Sequence, residues 1–140
     1  MSEKAEGATR REFVAASAGA AAVAAFGFNR IAQAQDGDEL ITQIVKFKIL
    51  EGQEDAAVEL LETLTAAVEK GEPGVLAYIA HRSKNDPSEV VFFEIYKDQA
   101  ALTAHSTTPH MAELGPKFAE CFDLQSFDIQ LLDRVGGFSR

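Results

Sequence analysis

Two histidines five residues apart, His105 and His110, and one glutamate set in an apolar run, Glu94 in "EVVFFEIY", are the side chains of this 140-residue chain best suited to chemistry. A carboxylate taken out of water is costly unless a partner satisfies it. His105 lies on the next predicted helix and is the natural partner, directly or through one water. A carboxylate and an imidazole held together away from solvent could deprotonate a phenol or a hydroquinone, because each moves the other's pKa toward the working range. The same pair could equally do no more than pin that helix to a sheet. By strand parity Phe92 and Tyr96 share the side of Glu94, and Tyr78 on the preceding strand is the best candidate for a pocket hydrogen bond. His110, directly after Pro109, would start a new helical piece or stand at the pocket mouth. A metal centre fits poorly: five residues turn a helix by about 140°, whereas paired ligands sit at i and i+4, and Pro109 breaks the helix between the two rings. His81 falls on the opposite side of its strand from Tyr78, at an edge or an outer face.

Elements able to position these residues can be read along the chain. Residues 40–50, "LITQIVKFKIL", alternate as a strand through Ile41, Val45, Phe47 and Ile49. Ala57, Leu60, Leu61, Leu64 and Val68 recur at helical spacing, and Gly71 and Pro73 stop that helix. "GVLAYIAHRSK" and "EVVFFEIY" read as a hairpin closed by "NDPS". "KDQAALTAH" starts a second helix capped by Asp98 and interrupted by Pro109. A shorter helical piece follows, itself interrupted near Gly115 and Pro116, and "SFDIQLLDRV" closes the chain as a strand. The order β-α-β-β-α-β is the ferredoxin-like α+β arrangement, an antiparallel sheet with helices on one face. "EVVFFEIY" is apolar on both sides, so the face away from the helices is expected to pack on the sheet of a second copy, as a homodimer.

Residues 1–34 have the features of a twin-arginine export signal: Arg10 and Arg11, then Phe13 and Val14, a weakly apolar Ala/Gly run, Arg30, and "AQA" ending at Ala34. The run is too short and too weakly apolar for a stable membrane anchor. The expected partner during export is the twin-arginine translocase, and the expected location is periplasmic or otherwise exported. Residues 35–39 read as a flexible lead-in, 40–136 as the domain and 137–140 as a tail. Without residues 1–34 there remain nine basic and nineteen acidic residues, so nucleic acid is not an expected partner. The lone cysteine, Cys121, offers no intrachain disulfide.

The stretch "PGVLAYIAHRSKNDPSEVVFFEIYKDQAALTAHSTTPHM" resembles the antibiotic biosynthesis monooxygenase family, dimeric α+β barrels that include quinol monooxygenases. The resemblance rests on the "PG" entering the second strand, Tyr78, "HRS", the "DP" turn, "FFEIY" with Glu94, and His105 and His110, and it covers about residues 40–135. It implies a dimeric α+β barrel. It also implies oxidation of a small aromatic or quinol-type substrate by molecular oxygen, with no bound metal or flavin. Glu94 and His105 would be the catalytic pair, and Tyr78, Tyr96, His110 and Phe92 would bind substrate. The chain has no tryptophan, and Tyr96 stands where members often carry one, which separates it from members whose haem degradation or quinone formation leans on that residue. Two other classes stay open: a dimer that binds a small hydrophobic ligand without catalysis, and an isomerase or lyase of a small carbonyl compound.

Overall fold

The computed structural model describes residues 39–140. The export signal over residues 1–34 and nearly all of the lead-in lie outside the described residues. From Ile41 the order is β1 (Ile41–Ile49), α1 (Glu54–Gly71), β2 (Val75–Arg82), β3 (Glu89–Tyr96), α2 (Gln99–His105), α3 (Pro109–Cys121) and β4 (Phe122–Leu132). The four strands form one antiparallel sheet in the order β2-β3-β1-β4.

One sheet face is buried under the helices. From β1 it presents Gln43, Val45, Phe47 and Ile49, and from β3 Val90, Phe92, Glu94 and Tyr96. The predicted stripe of α1, Ala57 to Val68, is wholly buried against it. Phe47 lies at the centre of an aromatic cluster, with ring centroids 4.5 Å from Phe127, 4.9 Å from Phe122 and 5.9 Å from Phe92. The opposite face carries Ile44, Val91, Phe93 and Ile95, half-buried, and Ile79, exposed. That two-sided apolar character is the one expected from "EVVFFEIY".

Two boundaries differ from expectation. β4 begins at Phe122, directly after α3, because Phe122 and Cys121 fill the core together and leave no room for a loop. α3 runs unbroken through Gly115 and Pro116. Pro116 has no N–H to give to the Ala112 carbonyl, but both residues lie on the solvent side, where water can take that bond, while Leu114, Phe118 and Cys121 hold the buried side.

Asp98 caps α2 as anticipated, its Oδ1 accepting from the Ala101 N–H at 2.7 Å. Pro109 sits in the first turn of α3. The break between α2 and α3 lets His105 end one helix and His110 begin the next. In the β2–β3 hairpin, Arg82 donates twice to the Pro87 carbonyl, at 2.9 and 3.1 Å, and Lys48 pairs with Asp86. The loop is thereby closed by Arg82 from β2 and by Lys48 from β1.

Candidate active site

Strand register puts Tyr78, Glu94, Gln43 and Leu131 in one row across the sheet, all on the helix side. Glu94 and Gln43 are each only 4% exposed. Glu94 Oε2 accepts from Gln43 Nε2 at 2.5 Å and from the Tyr96 hydroxyl at 2.8 Å. Burial pushes the Glu94 carboxyl above the usual carboxylate range. The hydrogen bonds from Gln43 and Tyr96 and the nearby His105 oppose that rise, and the charge of Glu72 adds to it. Oε1 of Glu94 makes no hydrogen bond among the described residues.

His105 does not take Glu94 as its partner. Its Nδ1 stands 2.8 Å from Oε2 of Glu72, and His110 Nε2 stands 2.5 Å from Oε1 of the same carboxylate. The two histidines thus converge on one acceptor, although Pro109 breaks the helix between them. The reason lies at the α1 C-terminus. Glu72 directly follows α1, where its N–H bonds back to the Val68 carbonyl at 2.9 Å, and its side chain is delivered beneath the α2–α3 junction. His110 is the more exposed ring, with 19% of its side chain accessible against 8% for His105. Burial alone would raise the Glu72 carboxyl, but the hydrogen bonds and charges of His105 and His110 outweigh it and hold the group below its ordinary value.

A carboxylate can only accept, so His105 Nδ1 and His110 Nε2 carry the hydrogens in these contacts. The Nε2 of a neutral His105 is then an acceptor, and it makes no hydrogen bond among the described residues. This is the carboxylate–imidazole arrangement that fixes a tautomer and orients a base. Thr108 Oγ1 donates to the His105 carbonyl and lies 3.0 Å from His110 Nε2, tying both histidines to the junction.

The Tyr78 ring packs 4.8 Å from Phe92 and 5.1 Å from His105, centroid to centroid, and Tyr96 lies 5.6 Å from His105. Burial and then the charges of Glu94 and Glu72 push the Tyr78 phenol well above its usual range, and burial with Glu94 does the same to Tyr96. Both therefore act as neutral phenols. Phe92, 2% exposed, stacks in the core and backs Tyr78. Tyr96 is fully buried and spends its hydroxyl on Glu94, so in this arrangement it positions the acid. His81 is on the outer face, its Nδ1 3.2 Å from the Val91 carbonyl. Among the described residues no three His, Cys, Asp or Glu side chains are placed to hold a metal ion.

Gln43 and Glu72 escaped the sequence reading. Gln43 was detectable as the one polar residue on the inward parity of β1, between Ile41 and Val45. Glu72 lies in the charged helix end "EKGEPG", and nothing local marks it as buried. Gly74 explains the "PG" after it: a Cβ there would lie 2.7 Å from the Ala101 Cβ, so only glycine lets α2 approach closely enough to seat His105.

The four-stranded sheet with this helix arrangement is shared by solved structures. A structure named as an antibiotic biosynthesis monooxygenase is 29% identical over 69% of this chain and 99% of its own, with a TM-score of 0.61. A Pseudomonas aeruginosa protein is 25% identical over 74% of this chain and 100% of its own, at a TM-score of 0.61. A Caulobacter crescentus protein that carries the provisional name antibiotic biosynthesis monooxygenase is 24% identical, over 71% and 92%, at 0.65, a likeness of fold. No curated protein matches the sequence. The family model for antibiotic biosynthesis monooxygenase matches residues 40–115, which include Gln43, Glu72, Glu94, His105 and His110, and the chain belongs to that family.

Proposed function

We propose that this protein is a monooxygenase that oxidises a small aromatic or quinol-type compound with molecular oxygen, with no bound metal or flavin. The observation that carries the reading is that a group able to hold a proton and a group able to accept one lie in one layer. Glu94 is a buried carboxyl held above its normal range, and His105 has Nδ1 committed to Glu72 and Nε2 left as an acceptor. A carboxyl that can hold a proton and a ring nitrogen free to take one divide acid and base roles.

His105 Nε2 takes the phenolic proton, and the resulting phenolate is electron-rich enough to reduce oxygen. The chemistry needs no external reductant. For a phenol with a free para C–H, the O–H and C–H bonds are lost, a second C=O forms from one oxygen atom, and the other oxygen leaves as water. The four electrons that O2 accepts all come from the substrate. Glu94 gives a proton to the departing oxygen and recovers it from His105 by way of water. Exclusion of water by the apolar surroundings limits side reactions.

The same reading includes a homodimer through the outer sheet face, exported to the periplasm by the twin-arginine route. Ile44, Ile79, Val91, Phe93, Ile95 and Leu132 are uncovered there, and the described helices all lie on the other side. A second copy is the occupant that matches, because an identical sheet offers an equally flat apolar face and the C-terminal Val135 and Phe138, 99% and 82% exposed, extend beyond the sheet. Phe93→Glu should convert a dimer into monomer by light scattering. Dimer retained in Phe93→Glu, or monomer in the parent, rejects this part. Lysine at both Arg10 and Arg11 should leave precursor in the cytoplasm.

The activity is tested by oxygen consumption of purified, metal-depleted protein with a panel of phenols and hydroquinones. Uptake of one O2 per quinone formed supports the proposal. Ligand binding without uptake would make the protein a binding module, and turnover of a carbonyl compound without oxygen would make it an isomerase or lyase.

A further inference from the structure

Gln43 poses a problem that the acid–base layer leaves unsolved. Its Nε2 is committed to Glu94, but its Oε1 is buried and has no hydrogen-bond partner among the described residues. A buried acceptor without a donor is a standing cost, and native structures keep one for a reason. Rotating the amide does not remove the problem, because the group turned away from Glu94 would then be an unpartnered NH2.

Position narrows what the missing donor is. Gln43 lies between Glu94 and Leu131 in the sheet row, on the helix side, in the same layer as Tyr78 and His105. No donor of that layer bonds to it, the Tyr78 hydroxyl included. Tyr96 gives its hydroxyl hydrogen to Glu94, and the N–H of His105 goes to Glu72.

We propose that Gln43 Oε1 is the acceptor for a hydroxyl of the ligand, and that the site therefore selects the hydroxyl-bearing, reduced form of an aromatic ligand over the carbonyl-bearing, oxidised form. The inference rests on the reading of the ligand as a phenol or quinol. A phenol or hydroquinone satisfies the orphan acceptor by donating to it. A quinone presents a carbonyl oxygen to a carbonyl oxygen, acceptor against acceptor, so the product meets repulsion where the substrate met a bond. Gln43 thus becomes a specificity residue that favours product release. It touches the ligand and moves no proton.

The test is a binding titration without oxygen, using 1-naphthol, its methyl ether 1-methoxynaphthalene, and 1,4-naphthoquinone. In the parent protein 1-naphthol should bind about tenfold more tightly than either of the others, the factor expected when one buried acceptor gains its donor. In Gln43→Met, which keeps the volume and removes both polar atoms, the three should bind within about threefold of one another. A second measurement covers the case in which that variant does not fold: in the parent, the Gln43 side-chain amide resonances should shift with 1-naphthol and stay unmoved with 1-methoxynaphthalene. Equal binding of naphthol and its ether by the parent, no binding of either, or an undiminished preference in Gln43→Met overturns the assignment. The outcome is separable from that of the oxidative reading. Naphthol preference without oxygen uptake removes the monooxygenase and keeps Gln43 as a hydroxyl reader, whereas oxygen uptake with no dependence of binding on Gln43 does the reverse.

Discussion

The junction of α1, α2 and α3 hangs on Glu72, and removing it should expose a large asymmetry. In Glu72→Leu the hydrogen on His105 Nδ1 loses the one partner it has among the described residues, in a site where the side chain is 8% accessible, while His110 can still turn to Thr108 Oγ1 at 3.0 Å. One buried orphan and two lost charge-assisted bonds should cost about 2–4 kcal/mol. For a domain of this size that is a fall in Tm of roughly 10–25 °C. His105→Leu alone should cost about 1–3 kcal/mol, because Glu72 keeps its bond from His110. The double variant, with neither donor nor acceptor left, should cost less than the sum by at least about 1 kcal/mol. The matching cycle between His105 and Glu94 should give a smaller coupling, since those two share no hydrogen bond. Chemical denaturation at pH 7 measures both cycles.

The pH dependence of the Glu72–His105 coupling follows from the direction of the Glu72 shift. Its folded pKa lies below the ordinary 4.5, so the stabilisation is complete above that value and is lost as pH falls through the lowered one. Additive Glu72 and His105 effects at pH 7, or a larger coupling between His105 and Glu94, would refute the assignment of Glu72 as the partner. So would a coupling that survives unchanged into strong acid.

Glu94 titrates in the opposite sense: its folded pKa is raised, so ionisation withdraws stability as pH climbs from 4.5 through the folded value. Glu94→Gln should therefore gain stability relative to the parent over that interval, and a difference flat with pH would contradict it. Gly74→Ala should cost about 1–3 kcal/mol by forcing α2 away from the sheet, and Ala101→Gly in the same chain should recover most of it. His110→Ala, at the more exposed end of the Glu72 carboxylate, should cost about 0.5–1.5 kcal/mol, less than His105→Leu in the same denaturation assay.

What sequence can reveal here divides along the range of the interaction involved. Period-two and helical patterns report which residues share a face, and faces are set by neighbours one turn or one pleat away. The strand parity of Glu94 with Phe92 and Tyr96, the α1 stripe and the Asp98 cap were therefore all legible. Partner identity is a different kind of fact. Glu72 meets His105 across 33 residues and His110 across 38, and Gln43 meets Glu94 across 51. These meetings depend on how the end of one helix is aimed beneath another, which in turn depends on Gly74 allowing a close approach that no periodicity records. The opening histidines illustrate the consequence. Their spacing argued correctly against shared helical geometry, because Pro109 does separate two helices, but it could not show that the two helix ends fold back on a single carboxylate. Buried polar groups carry the most functional information and the least local signal, since each is tolerated only through a partner that the chain delivers from elsewhere. An inward-facing polar residue such as Gln43 can be flagged from parity alone, whereas a buried helix-end acid such as Glu72 requires the tertiary fold.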